Sequence, residues 1–532
     1  VPTATYFTPL LRIARILKEY DIAAPVLYAP TFFPGATAME ASAHQCGVPW
    51  LCFMKPDLSG YFDTAEHVRS VDLPWQPAWR GVRTIDLLRR RTPLRARLTR
   101  VLVEWVDRRS WHGHRSLHDT WTTLHAAQVG EADLVLDALA IDLVLVPDET
   151  MDYNVPFLLA SARAAGLRSL LLQLAVPSLD EIDGVLAARA DNAVRDRCQR
   201  AFAGLFPRWV RTVGGRRLLR APLGRALAAE LDGLAPRHPW LSFTFGSDAI
   251  GVNSPYLRDR LVELGGTDLR GKMVLTGLPE DDAVLRGRRD GRALRAELAA
   301  ECGWRYDRPI ALVNPVNDLT AQHSLSQFGS YEDLLRFWLA AVRDLHNFNV
   351  VVTPHPYFRF AAVARRVLEQ SGIPVVWRGA AELMPACDLY VAYGGSSTFR
   401  LAAATGLPAL NYLCYDLDYA PADAPSYFDG FDTIRVVRRR EEMLRALREL
   451  DDPASFSDLR ERAEKAAPYF GPPGQGFPER ISVVVRMLAG RKGPVTGTEL
   501  AAIRDATGRA AGGASAERER TSHARRNKEV AT

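Results

Sequence analysis

Hydrophobic and polar positions follow two rhythms along this chain. Short apolar runs bounded by Gly, Pro or acidic residues alternate with longer stretches whose apolar positions recur three and four apart. Unbroken apolar runs read as strands buried on both faces, and the 3.6-residue period reads as amphipathic helix. Strands are predicted at 25–30, 49–54, 141–147, 169–174, 248–252, 273–276, 309–314, 349–353, 374–377, 388–393 and 408–412. Helices are predicted at 6–19, 155–165, 255–264, 290–301, 331–345, 360–370, 398–405, 439–450, 456–466 and 477–489. Strand, helix and strand at this spacing make a βαβ unit, so the sheets are predicted to be parallel. The rhythm runs twice, which predicts two Rossmann-like, doubly wound α/β domains, 1–245 and 246–490. The stretch 83–110 is Arg-rich and helical in pattern, and 185–235 reads as a wholly helical, basic insertion. Residues 491–532 lack periodicity and are expected to form a disordered tail. The helix at 6–19 has no strand before it, whereas an α/β unit opens on one, so a strand is expected upstream of Val1.

Composition narrows the class. The chain has 532 residues, 47% of them hydrophobic. That excludes a disulfide scaffold, a collagen-like chain and a wholly disordered chain. The most apolar stretch, 167–177, is shorter than the ~20 residues that cross a bilayer. Basic residues number 67 against 62 acidic, for a net charge of +5. Only six of the 67 are Lys, a bias that points to genome composition rather than a binding surface. No zinc-finger or RNA-binding signature accompanies it, so no nucleic-acid partner is expected. The six cysteines form no CxxC and no metal-site spacing, and read as reduced thiols. The N-terminus lacks a signal-peptide pattern, so the expected location is cytoplasmic. The segment 206–225 has two readings. One is a surface lying on an anionic membrane, with Trp209, Leu218 and Leu219 as apolar contacts. The other is a helical cap with a solvated face.

Two motifs carry candidate chemistry. Thr353-Pro354-His355-Pro356 ends the strand at 349–353. Ligands of open parallel sheets sit outside the carboxyl ends of the strands. A histidine there donates to phosphate oxygens or carries a proton. A histidine trapped in a Pro-flanked turn is the structural alternative. The second motif is Gly394-Gly395-Ser396-Ser397-Thr398, between a strand and a helix. Glycines admit a ligand close to the backbone, and amides with hydroxyls at a helix start make an anion site. A plain N-cap is the alternative.

The two motifs together resemble the donor domain of glycosyltransferases with the GT-B fold, two Rossmann-like domains facing a cleft. The likeness is greatest to bacterial transferases with His-Pro and Ser-Ser motifs. These are the sialyl- and Kdo-type capsule enzymes that use CMP-sugars, and the CDP-glycerol glycerophosphotransferases of teichoic acid synthesis. Val274-Leu275-Thr276-Gly277-Leu278-Pro279 with Asp282, Leu401–Pro408 and Tyr415–Tyr419 match further segments of that pattern, and Asn314-Pro315-Val316-Asn317-Asp318 fills the first strand-loop. The resemblance covers about 245–490. It implies an acceptor-side N-terminal domain and a donor-binding C-terminal domain. It also implies a nucleotide-sugar or CDP-alditol donor and a glycan or glycolipid acceptor. His355 becomes a catalytic candidate. Asn314, Thr353, Pro356, Gly394, Gly395, Ser396, Ser397, Thr398 and Gly277 become donor-binding candidates. The proton acceptor is expected from the first domain: Asp148 or Glu149 after the strand at 141–147, or Asp180, Glu181 or Asp183 after that at 169–174. Gln173 and His44 are weaker candidates, and His323, His346, Asp281 and Asp282 are expected at the surface. No cofactor and no metal are expected. Leu401 departs from the pattern: many relatives carry Glu there to hold the ribose hydroxyls. Acidic residues that follow Gly-Gly in the similar 2-epimerases are replaced here by Ser396–Arg400, which argues against epimerase chemistry. Arg400 is expected to be solvated or to meet phosphate.

Overall fold

The computed structural model describes residues 4–29, 36–53, 68–70, 140–172, 192–281, 291–316, 327–354, 362–393, 398–414, 433–471 and 476–507, with short breaks inside these ranges and a few isolated positions outside them. Strand β1 (Leu27–Ala29) pairs in parallel with β2 (Trp50–Phe53), and β3 (Val68–Ser70) adds to β2 antiparallel. Strands β4 (Leu143–Val146) and β5 (Arg168–Leu172) pair in parallel across the helix Val155–Ala164. A hairpin follows, β6 (Val210–Val213) with β7 (Arg216–Leu219). Strands β8 (Ala249–Val252) and β9 (Met273–Leu275) then extend the earlier sheet in the order β4-β5-β8-β9. Leu170, Leu172, Ala249 and Val274 face the helices Ala4–Glu19 and Phe477–Leu488. Leu171, Ile250 and Met273 face the opposite layer, with Leu159, Leu257 and Leu261. Both faces being covered explains why these strands read as unbroken apolar runs.

The second sheet contains β10 (Ile310–Asn314), β11 (Asn349–Val352), β12 (Leu389–Ala392), β13 (Ala409–Tyr412) and β14 (Ile434–Val437). All are parallel, in the order β11-β10-β12-β13-β14. Ala311 and Val313 point to a layer built on Leu334, Leu335 and Trp338. Ile310 and Leu312 point to the other, with Phe399 and Leu401. The helix Tyr331–Arg343 starts at Ser330, whose hydroxyl accepts from the Asp333 amide at 3.1 Å. Glu332 and Asp333 in its first turn suit the positive end of the helix dipole. The chain runs from β10 out to β11, then crosses back past β10 to β12. Strand order therefore reverses between β10 and β12, where an open α/β sheet leaves a crevice at its carboxyl edge. The molecule is α/β, and its four- and five-stranded sheets are parallel, as the pattern predicts; the β2–β3 pair and the β6–β7 hairpin are antiparallel.

Several expectations need correction. Strands β8 and β9 belong to the β4-β5 sheet, so the chain leaves that sheet after Leu275 and not near residue 246. The helix Phe477–Leu488 packs on the same sheet, through Phe477, Ile481, Val484 and Val485. The segment 185–235 is not wholly helical: among its described residues, two helices, Arg197–Leu205 and Leu223–Leu231, flank the β6–β7 hairpin. Trp209, Leu218 and Leu219 are fully buried, so they cannot be membrane contacts. The stretch 83–110 lies outside the described residues.

The predicted tail also starts too early. Gly493 donates its amide to Gly166 O at 3.0 Å, Lys492 bridges to Leu167, and a helix over 497–507 buries Leu500 and Ile503. Arg168 reaches both carboxylate oxygens of Glu499 at 3.1 Å. The Thr496 amide, then Arg168 and Arg491, hold the Glu499 carboxyl down at about 2. A carboxylate depressed on folding stabilises fully above its ordinary value of about 4.3 and loses that contribution as pH falls toward its folded value. Protection of the 497–507 amides against exchange is therefore expected to fade through this window in the wild type. It should already be low at pH 7 in Glu499→Gln. Equal protection of the two proteins at pH 7 would refute the tether.

Candidate functional site

The point where strand order reverses, between β10 and β12, is flanked by the strand ends that carry the sequence motifs. Asn314 closes β10, and its Nδ2 donates to the Thr353 carbonyl at 2.6 Å. Thr353 follows β11, donates its amide to Val313 O at 2.9 Å, and is buried. Its hydroxyl donates to Arg378 O at 2.5 Å. Asn314 and Thr353 thus lock the two strand ends together and aim the chain that continues through Pro354 into His355. Thr353, expected to touch the donor, is spent on backbone partners. His355, Pro356, Gly394, Gly395, Ser396 and Ser397 lie outside the described residues.

Across the crevice, β12 leads through Tyr393 to the Gly-Gly-Ser-Ser segment and then to the helix Thr398–Ala404. The Thr398 hydroxyl hydrogen-bonds the Tyr390 phenol. Phe399, Arg400 and Leu401 are all buried. Leu401 packs in an apolar cluster with Phe399 and Ala409 and presents no group to a ribose. Arg400, expected in solvent or on phosphate, instead forms an ion pair with Asp281. Asp281, expected at the surface, is 1% exposed, and its other oxygen accepts from the Leu278 amide at 2.9 Å. This places the turn that contains Gly277 against the helix Thr398–Ala404. Gly277 adopts φ +70, a value that favours glycine, as the chain turns out of β9. Arg480, fully buried, donates from Nε to Thr276 O at 2.8 Å and fixes the same turn from the helix Phe477–Leu488. Gly277 is therefore a turn residue in a braced junction. Asp282 lies outside the described residues.

The proton-acceptor candidates separate. Glu149 is fully buried, and its carboxylate accepts the Ser247 amide at 2.9 Å. It braces the end of β4 to the segment leading into β8. Asp148 beside it is also buried. Asp180, Glu181, Asp183, Gln173 and His323 lie outside the described residues. His44 and His346 are exposed. Among the described residues, no group of three or more His, Cys, Asp or Glu side chains is arranged to hold a metal ion. A cavity of 250 Å³ lined by Arg292, Arg295, Asp388, Leu407 and Arg460 lies at the amino ends of β12 and β13, the edge away from the crevice. There Arg295 pairs with Asp388 at 2.6 Å.

One residue at the crevice side of the sheet went unremarked in the sequence. Asn411, in β13, pairs in register with Ala392, two residues before the Gly-Gly segment. Its side chain is 0% exposed, and neither Oδ1 nor Nδ2 has a hydrogen-bond partner among the described residues. Ala409, two positions earlier, belongs to the Leu401 cluster, so Asn411 shares the Leu401 face. Each unpaired buried polar group costs about 1–3 kcal/mol. Read as the last-but-one residue of an apolar run, Asn411 gave no signal in the sequence.

No family model and no curated protein matches the chain. Similar solved structures include the wall teichoic acid polymerase TagF, at 12% identity over 45% of this chain and 57% of that one, with a TM-score of 0.32. A complex of MnaA from S. aureus with UDP is 14% identical over 70% of this chain and 84% of that one, with a TM-score of 0.38. MurG of Acinetobacter baumannii is 11% identical over 90% of this chain and 96% of that one, with a TM-score of 0.41. The chain thus spans just over half the length of the teichoic acid polymerase.

Proposed function

We propose that the protein is a GT-B type glycosyltransferase. It moves a sugar from a nucleotide-activated donor to a cell-surface polysaccharide, glycolipid or related acceptor, at the cytoplasmic side of the membrane and without a divalent metal. The carrying observation is the reversal of strand order between β10 and β12. Thr353-Pro354-His355 leaves β11 on one side of that point, and Gly394–Ser397 leaves β12 on the other. In this reading His355 and the Ser396–Ser397 segment meet the donor phosphates, and Asn411 offers its carboxamide to the nucleoside in place of the carboxylate that Leu401 lacks. Transfer of glycerol phosphate from CDP-glycerol is the neighbouring chemistry for the same site. The buried Leu401 favours a second reading, a protein that binds nucleotide without turnover.

Calorimetry with CMP, CDP, UDP and GDP tests the proposal. Binding of CMP or CDP is expected, with transfer that persists in EDTA. Absence of binding by all four would overturn it, and binding without any transfer would favour the second reading. Asn411→Leu is a sharper probe. Removing the orphaned amide is expected to leave the melting temperature unchanged or raised, because its burial cost disappears. Nucleotide Kd is expected to rise about tenfold, or ~1.4 kcal/mol. Unchanged affinity would remove Asn411 from the site.

A further inference from the structure

One small module among the described residues is strongly basic. Residues 192–231 carry nine arginines, no lysine and two acids, a net of +7 against +5 for the whole protein. Phe202, Trp209, Leu219, Leu223 and Ala226 form the module's core, and the β6–β7 hairpin is extended by Ala193 bridging to Leu218.

Both acids are spent internally. Asp196 caps the helix Arg197–Leu205, accepting the Gln199 amide at 2.7 Å. Glu230 takes two bonds of 2.6 Å from Arg208 and one of 2.5 Å from the Trp209 indole. Arg195, Arg197, Arg200, Arg216 and Arg217 are all exposed, and none has an ion-pair partner among the described residues. Elsewhere Arg15, Arg336, Arg366, Arg435, Arg460 and Arg491 each hold a carboxylate, while Arg270, Arg343, Arg445 and Arg486 are exposed without an ion pair among the described residues but lie scattered along the chain. The Val194 amide donates to Arg217 O at 2.9 Å, which brings Arg195 alongside Arg216 and Arg217 of β7. The helix buries Gln199, Phe202 and Ala203 and turns Arg197, Arg200, Ala201, Gly204 and Leu205 outward, the i, i+3, i+4, i+7, i+8 positions of one face. Leu205 is 74% exposed, while the other exposed large hydrophobics among the described residues range from 38% to 48%.

We infer that this module docks on an anionic lipid bilayer, with its arginines on headgroup phosphates and Leu205 entering the interface. Guanidinium groups suit phosphate oxygens. Clustered like charges with no counter-charge among the described residues call for an anionic partner, and a protruding leucine among them favours a bilayer over a soluble polyanion. The inference rests on charge and exposure and stands or falls apart from the transfer reading.

Sedimentation with phosphatidylcholine vesicles, with and without phosphatidylglycerol, tests it. The wild type is expected to bind only the anionic vesicles, less so at high salt. Arg197→Gln/Arg200→Gln and Arg216→Gln/Arg217→Gln should each weaken partitioning, by about fivefold per arginine. Their melting temperatures should not move, because the replaced side chains have no partners among the described residues. Leu205→Ser should weaken vesicle binding while leaving binding of inorganic polyphosphate intact. Wild-type vesicle binding by either arginine variant would overturn the inference, as would failure of the wild type to bind. Vesicle binding that is indifferent to Leu205→Ser would overturn it in favour of a soluble polyanion.

Discussion

Replacing His355 by alanine is expected to lower transfer by about a hundred- to ten-thousandfold, the usual worth of a positioned proton carrier, and to leave the melting temperature in place. The strand ends on either side are held without the imidazole. The Thr353 amide is bound by Val313 O, its hydroxyl by Arg378 O and its carbonyl by Asn314. Pro354 is buried beside it. Side-by-side measurement of kcat and nucleotide Kd separates two roles. A histidine that holds donor phosphate raises Kd and lowers kcat together. One that only moves a proton lowers kcat at constant Kd and removes a limb of the pH profile near the ordinary imidazole value of about 6.5. Wild-type turnover by His355→Ala would dissolve the site as assigned.

The sheets were legible in the sequence because their strands are covered on both faces. Ile310–Asn314 and Asn349–Val352 fall within a residue of the predicted runs at 309–314 and 349–353. The hairpin at 210–219 was not legible, for a physical reason. Leu218 and Leu219 are consecutive and both buried, one against Ala193 and Val213, the other against Phe202 and Trp209. A strand sandwiched in this way loses the two-residue alternation, and with its arginines it resembles a basic helix. The folded start of the tail was hidden because its anchor, Arg168, lies 331 residues away from Glu499. The crevice was legible as two motifs at strand ends, but its bracing was not. Asp281 stands next to a second acid in a polar stretch, the signature of a solvated turn, and its partner Arg400 is 119 residues distant. Nothing local marks either residue as buried.

Asp281→Ala is expected to destabilise the protein by about 3–5 kcal/mol, because the Arg400 guanidinium then stays buried without its counter-charge. Arg400→Met is expected to cost less: the Asp281 carboxylate keeps the Leu278 amide as a partner. In the double variant Asp281→Leu/Arg400→Met neither charge remains, and an apolar pair of similar volume recovers most of the loss. Chemical denaturation of the four proteins reads this cycle, and additive losses would mean that the two side chains do not interact in solution. Function adds a second axis. The pair joins the turn after β9 to the helix that follows Gly394–Ser397, and a directional ion pair fixes that register more tightly than apolar contact does. Nucleotide Kd is therefore expected to stay raised in the double variant even where stability returns. Recovery of affinity together with stability would reduce the pair to packing. Persistence of the defect would identify Asp281 and Arg400 as positioning residues for the donor loop.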